Sequence, residues 1–196
     1  MKKLFSIFAF TLIMALSVSV LALAAEVPEE FNQAPEFKAM VEEGELPSVE
    51  ERLPETPLVL NPVETIGEYG GTWNRIHTDP GMGTWQITNL YEPLVRWKMD
   101  LSGYAPGLAR NWEFNENGTE FTLFLRKGIK YSDGEPFTTE DFLFWWEDMA
   151  LDEEFPESVP HWMTRAGEPA QVEAVDEYTL KFTFSESNWI FPGHLA

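Results

Sequence analysis

Cysteine is absent from the 196 residues. That excludes disulfides, thiolate catalysis, Cys-based zinc sites and iron–sulfur clusters. It also excludes a lipid-modified N-terminal cysteine, so the chain is not expected to be a lipoprotein. Basic residues are scarce, 13 Lys+Arg against 33 Asp+Glu, for a formal net charge of −20. Phosphate backbones are bound through Lys/Arg patches, so no nucleic-acid partner is expected. No Gly-x-Ser-x-Gly nucleophile elbow occurs. The Gly-rich loop Gly81-Met82-Gly83 lacks a third glycine, and no Gly-Lys-Ser/Thr follows it. His77, His161 and His194 stand alone, and Asp152-Glu153-Glu154 lacks the glycine and the alternation of a calcium loop. Neither a metal nor another cofactor is expected.

One long apolar run is present, and it comes first. Lys2 and Lys3 precede Leu4–Ala25, which closes on the small-x-small triplet Ala22-Leu23-Ala24. This reads as a cleavable secretory signal peptide over residues 1–24. An uncleaved membrane anchor is the alternative, because the run is long enough to cross a bilayer. Cleavage removes two of the 13 basic residues and none of the 33 acidic ones, which moves the charge from −20 to −22. Residues 25–66 are acidic and punctuated by proline, with Phe37, Met40 and Val41 at the spacing of one short helix that ends near Gly44. The rest of that segment should be extended over the surface.

The composition changes at Gly67, where aromatic and β-branched residues take over. Gly70–Ile76 reads as a first strand, His77–Gly83 as a loop turning at Asp79-Pro80-Gly81, Thr84–Leu90 as a helical turn and Val95–Met99 as a strand. Phe121, Leu123 and Leu125 alternate along one strand face, and Asn117-Gly118 before them signals a hairpin. The run Lys127–Tyr131 should continue that strand past a kink at Gly128. A helix should start at Thr138, capped in a box with Asp141, with Phe142, Trp145, Trp146 and Met149 forming its apolar stripe. A second hairpin is expected from Val172–Val175 and Thr179–Phe184, with Leu180, Phe182 and Phe184 facing together. Hairpins with interspersed helices imply a mixed α+β, or α/β, fold. Phe191–Ala196 gives no natural ending, since an apolar, strand-rich segment stops there without a capping element, as if the reading were truncated.

Eight tryptophans are the notable feature. Trp73, Trp97, Trp145 and Trp146 are expected in the core. Trp85 and Trp162 lie near loops, where their rings can stack on sugars or on apolar side chains. His77 and Asp79 follow a strand end, a common place for a ligand, although turn formation also explains Asp79.

Three segments together resemble the family 5 extracellular solute-binding proteins of ABC transporters. They are Tyr91–Val95 (YEPLV), Pro106–Glu113 (PGLARNWE) and Gly118–Trp146 (GTEFTLFLRKGIKYSDGEPFTTEDFLFWW). The resemblance covers residues 67–196 and implies a type II, two-lobed periplasmic-binding-protein-like fold, of which this chain would be the N-terminal portion. It implies capture without chemistry: a periplasmic protein takes an oligopeptide or oligosaccharide and delivers it to permease subunits in the inner membrane. The segment His77–Trp85 resembles the part of the family that faces the cleft, which makes His77, Thr78, Asp79 and Trp85, together with Trp162, the candidate solute contacts. Two alternatives stay open. A secreted carbohydrate-active enzyme needs two carboxylates flanking a bond, and no such pair is legible here. A sensor or chaperone could use the same scaffold.

Overall fold

In the computed structural model, residues 28–72, 74, 91–154 and 159–196 are described. The proposed leader, Trp73, most of the expected first strand and the Thr84–Leu90 turn lie outside them. The described part of that strand, Gly70–Thr72 and Asn74, carries no strand structure.

The centre is a four-stranded antiparallel sheet in the order β3-β4-β8-β7, formed by β3 (Ala109–Phe114), β4 (Glu120–Leu125), β7 (Gln171–Asp176) and β8 (Thr179–Thr183). Both expected hairpins are present, with Phe114 opposite Phe121 and Val172 opposite Phe182. In the first turn, the Asn115 carboxamide oxygen accepts the N–H groups of Thr119 (3.0 Å) and Glu120 (3.1 Å). Gly118 there has φ +70°, and a Cβ would run into the Trp189 ring.

Alternation places Phe121, Leu123 and Leu125 of β4 and Leu180 and Phe182 of β8 on one buried face, with Phe184 just beyond. Phe191 closes this face. Its ring packs on Phe121 (5.0 Å between centroids), Phe182 (4.9 Å) and Phe184 (4.9 Å). The ring is presented by a 3-10 turn over Phe191–His194, an element not read from the sequence. Pro192 in its first turn suits a helical start, where the missing N–H costs nothing.

A two-stranded ribbon pairs β1 (Val95–Trp97) with β2 (Tyr104–Pro106). Strand β1 is shorter than the expected Val95–Met99. Trp97 is 49% exposed and lies against Tyr104 instead of entering the core. The YEPLV and PGLA segments are bonded neighbours: Leu108 N–H donates to Pro93 O (3.0 Å) and Ala109 N–H to Leu94 O (2.9 Å). Gly107 is buried in that contact, and a Cβ there would collide with the Pro93 carbonyl. A further short ribbon joins β5 (Thr164–Arg165) and β6 (Glu168–Pro169).

The expected N-terminal helix is α1 (Lys38–Glu42), which ends at Gly44 with φ +76°. A second helix, α2 (Val49–Arg52), was not expected. Ser48 and Glu51 cap it reciprocally, a pairing that the Ser-x-x-Glu spacing does encode. The chain after α2 is strapped to the sheet domain. Glu55 N–H donates to Lys127 O (3.0 Å), and the Arg126 guanidinium donates to Thr56 O (2.8 Å) and Gly107 O (2.9 Å). Gly128, with φ +81°, turns the chain away beside Pro54, so Lys127–Tyr131 does not continue β4. It forms a tight loop in which Tyr131 N–H donates to Glu135 O (2.8 Å).

Candidate functional site

Helix α3 (Thr139–Leu143) positions the site. The Thr138 hydroxyl accepts the Glu140 N–H (3.3 Å), and the Asp141 carboxylate accepts the Thr138 N–H (2.7 Å), so the capping box forms as the sequence implies. Thr139 is buried and pins the helix start to the β7–β8 turn, donating from its N–H to Glu177 O (3.0 Å) and from its hydroxyl to Asp176 O (3.0 Å).

The helix then widens into a π-helix over Phe144–Ala150, closed by Leu151 N–H donating to Trp146 O (3.0 Å). Such widened turns recur at functional sites. The expected stripe splits here. Trp146 and Ala150 are buried, whereas Trp145 is half-buried and faces a groove. The assignment of Trp145 to the core is thereby corrected in part.

The groove has a volume of about 360 Å³. Trp162 reaches it from the 3-10 turn His161–Met163, which is anchored by buried Met163. His194 and Leu195 reach it from the terminal turn, and Leu94 from the approach to β1. The rings of Trp145 and Trp162 are parallel within 7° at 6.0 Å between centroids, and those of Trp162 and His194 within 18° at 6.1 Å. Burial, helped by Arg165 and His161, holds the His194 imidazole below its ordinary pKa and favours the neutral ring.

Tyr131 and Asp141 form the groove's polar edge. Burial and then the charge of Asp141 push the Tyr131 hydroxyl pKa upward. The same two residues border a hollow of about 660 Å³ walled by Glu135, Glu140 and Glu177. Among the described residues no three His, Cys, Asp or Glu side chains converge as metal ligands.

Of the candidate contacts read from the sequence, Trp162 lies on this groove. His77, Thr78, Asp79 and Trp85 lie outside the described residues. Trp145 and His194 were not selected. No local pattern links them to Trp162, because the three residues arrive from three separate segments.

The profile of the bacterial extracellular solute-binding proteins, family 5 (middle region), matches residues 103–196. The chain belongs to the family 5 extracellular solute-binding proteins. Its sequence is 30% identical over 167 residues to the periplasmic alpha-galactoside-binding protein of Rhizobium meliloti, which covers 75% of this chain and 24% of that protein. Its structure is similar to the oligopeptide-binding protein OppA, with a TM-score of 0.73, 42% identity, and coverage of 85% of this chain and 26% of that one. It is also similar to the periplasmic binding protein MelB in complex with stachyose from Agrobacterium fabrum C58, with a TM-score of 0.64, 31% identity, and coverage of 83% and 28%. The chain thus spans about a quarter of the length of these family members. Its mixed helix-and-sheet fold is that of a portion of the type II periplasmic binding proteins. These relatives are binding proteins rather than enzymes.

Proposed function

We propose that the chain is part of the periplasmic solute-binding component of an ABC importer. It captures a peptide or an oligosaccharide at the aromatic groove and hands it to permease subunits in the inner membrane. The observation that carries this reading is the Trp145–Trp162–His194 array, built by three segments within a family 5 fold. Its volume of about 360 Å³ falls within the range of small-molecule sites, about 300–1,000 Å³. Apolar ring faces beside a few polar groups are what such sites use. Capture needs no bond-making: the solute is held, the lobes close, and the closed form docks on the permease. Entry into the periplasm rests on the basic and apolar leader over residues 1–24. The candidate contacts His77, Thr78, Asp79 and Trp85 belong to the same proposal, as residues lining the cleft.

Native mass spectrometry of the protein from its own periplasm tests the reading. The expected result is a chain lacking residues 1–24 that carries a bound peptide or sugar mass, with solute uptake lost on deletion of the gene. A solute-free protein together with unchanged uptake would overturn it.

A further inference from the structure

We infer that the tip of the β1–β2 ribbon is where this chain docks on its permease: Met99 and Leu101 enter an apolar socket of the membrane subunits, and Lys or Arg side chains around that socket meet Asp100 and the acidic body behind it. This rests on the importer reading above. The tip spans residues 97–102, all of them exposed. It is a preformed knob rather than a slack loop. Lys98 N–H donates to Gly103 O (3.0 Å), Leu101 N–H to Lys98 O (2.9 Å) and Ser102 N–H to the Asp100 carboxylate (3.0 Å). The Trp97 and Tyr104 rings pack behind it, 4.5 Å between centroids. A rigid knob loses little freedom when it docks.

Leu101 shows that the tip serves something outside the fold. Its φ is +57°, a left-handed conformation that strains a leucine and leaves a glycine unstrained. The side chain is 73% exposed, so it returns little burial for that strain. Strained residues of this kind cluster at working surfaces.

Position and charge select the partner. The ribbon is rooted beside the groove. Val95 N–H donates to Leu195 O (3.0 Å), and the Tyr104 ring lies where a Cβ on Gly193 would point. Leu94, His194 and Leu195 line the groove itself. A partner seated on the tip therefore stands one ribbon length from the solute, where its receiver has to be. The Ser102 N–H holds the Asp100 carboxylate below the usual carboxylate range, so it stays charged. Arg96 is paired with Glu92 (2.7 Å), and Lys98 offsets Asp100, which leaves the ribbon close to neutral. The chain as a whole carries −20. That charge repels a second copy and attracts a basic protein face. A bilayer would have to take up the charged Asp100 together with its apolar neighbours.

The experiment compares the protein purified from its own cells with two variants, Leu101→Gly and Met99→Ser combined with Leu101→Ser. Each is sedimented with right-side-out inner-membrane vesicles from a strain that keeps the permease and from one deleted for it. The parent is expected to pellet only with permease-bearing vesicles, and less as salt screens the attraction. The double variant should bind about tenfold more weakly. Leu101→Gly should bind severalfold more weakly while its thermal midpoint stays level or rises, which separates lost docking from lost folding. Equal pelleting with both vesicle types would assign the tip to lipid. A parent that dimerises without vesicles at the low salt of the assay would assign it to a second copy. Either result, or a parent that pellets with neither vesicle, overturns the inference. Variants that pellet like the parent, and that support its uptake of labelled stachyose or tripeptide, overturn it too; the importer reading then stands if deleting the gene abolishes that uptake. Uptake unchanged by the deletion overturns the importer reading itself.

Discussion

At the scale of single residues, two positions are decided by atoms that a sequence does not show. Gly107 is needed for space rather than for φ: the Pro93 carbonyl occupies the place of a Cβ. Gly107→Ala must push apart the bonded Pro93–Val95 and Leu108–Ala109 segments. Overpacking of this kind costs about 1–3 kcal/mol, so a urea melt of the variant should show a lower midpoint with an unchanged slope. An unchanged midpoint would mean that the contact relaxes freely. His194 supplies the second case. Its pKa in the fold lies below the unfolded value of about 6.5. The unfolded chain therefore takes up the proton first, and stability falls as pH drops through about 6.5 toward the folded value. Burial first, and then the charges of Arg165 and His161, disfavour the imidazolium, while Asp141 lines the same groove. Thermal melts between pH 7.5 and about 5 should show a smaller loss for His194→Gln than for the parent. Equal losses would remove His194 from the account. Taking the difference between the two proteins matters, since acid also titrates the many carboxylates.

At the scale of elements, the strap after α2 is held by few bonds. Arg126 does most of this, joining Thr56 O and Gly107 O from a largely buried position. Arg126→Met keeps the apolar stem and removes both donations, leaving two carbonyls without their partner. The expected outcome is faster tryptic cleavage after Arg52, with the sheet hairpins still protected against hydrogen exchange. Cleavage at the parental rate would show that Glu55 N–H to Lys127 O suffices. Helix α3 is the contrasting element. Its start is tied down by the Thr138–Asp141 box and by Thr139 on the β7–β8 turn, so the groove is mounted on a rigid support. Rigid mounting keeps aromatic faces in one orientation and lowers the ordering cost of binding.

At the scale of the molecule, a charge of −20 is spread over a surface that also carries an apolar tip. Met99 and Leu101, 88% and 73% exposed, stand with Trp97 at the end of the β1–β2 ribbon. Self-repulsion opposes association at low ionic strength, and its range shrinks from about 30 Å at 0.01 M salt to about 3 Å at 1 M. Sedimentation should therefore show a weight-average mass that rises with salt. Met99→Lys with Leu101→Lys should abolish the rise. A mass independent of salt, or one falling with it, would contradict this balance.

The sheet was legible in the sequence because its information is local. Period-2 alternation in Phe121–Leu125 and Leu180–Phe184, together with Asn and Gly in the turns, specifies two hairpins, and each residue's face follows from the pleat. The capping boxes at Thr138 and Ser48 are equally local, each a four-residue pattern. The family was legible as well, through motifs whose turn residues keep their order along the chain. Tertiary structure alone decided the rest. Trp97 was expected inside and is exposed, because β1 is a short outlying ribbon rather than a strand of the main sheet. No element was expected for Phe191, and it seals the sheet from a 3-10 turn. The groove depended on tertiary structure most of all. Trp145, Trp162 and His194 share no spacing, and each sits on a segment whose neighbouring residue, Trp146, Met163 or Phe191, is buried in the core. Local sequence specifies elements because hydrogen bonds and pleats have short periods; a site made from three segments exists only after their apolar residues have found a common core.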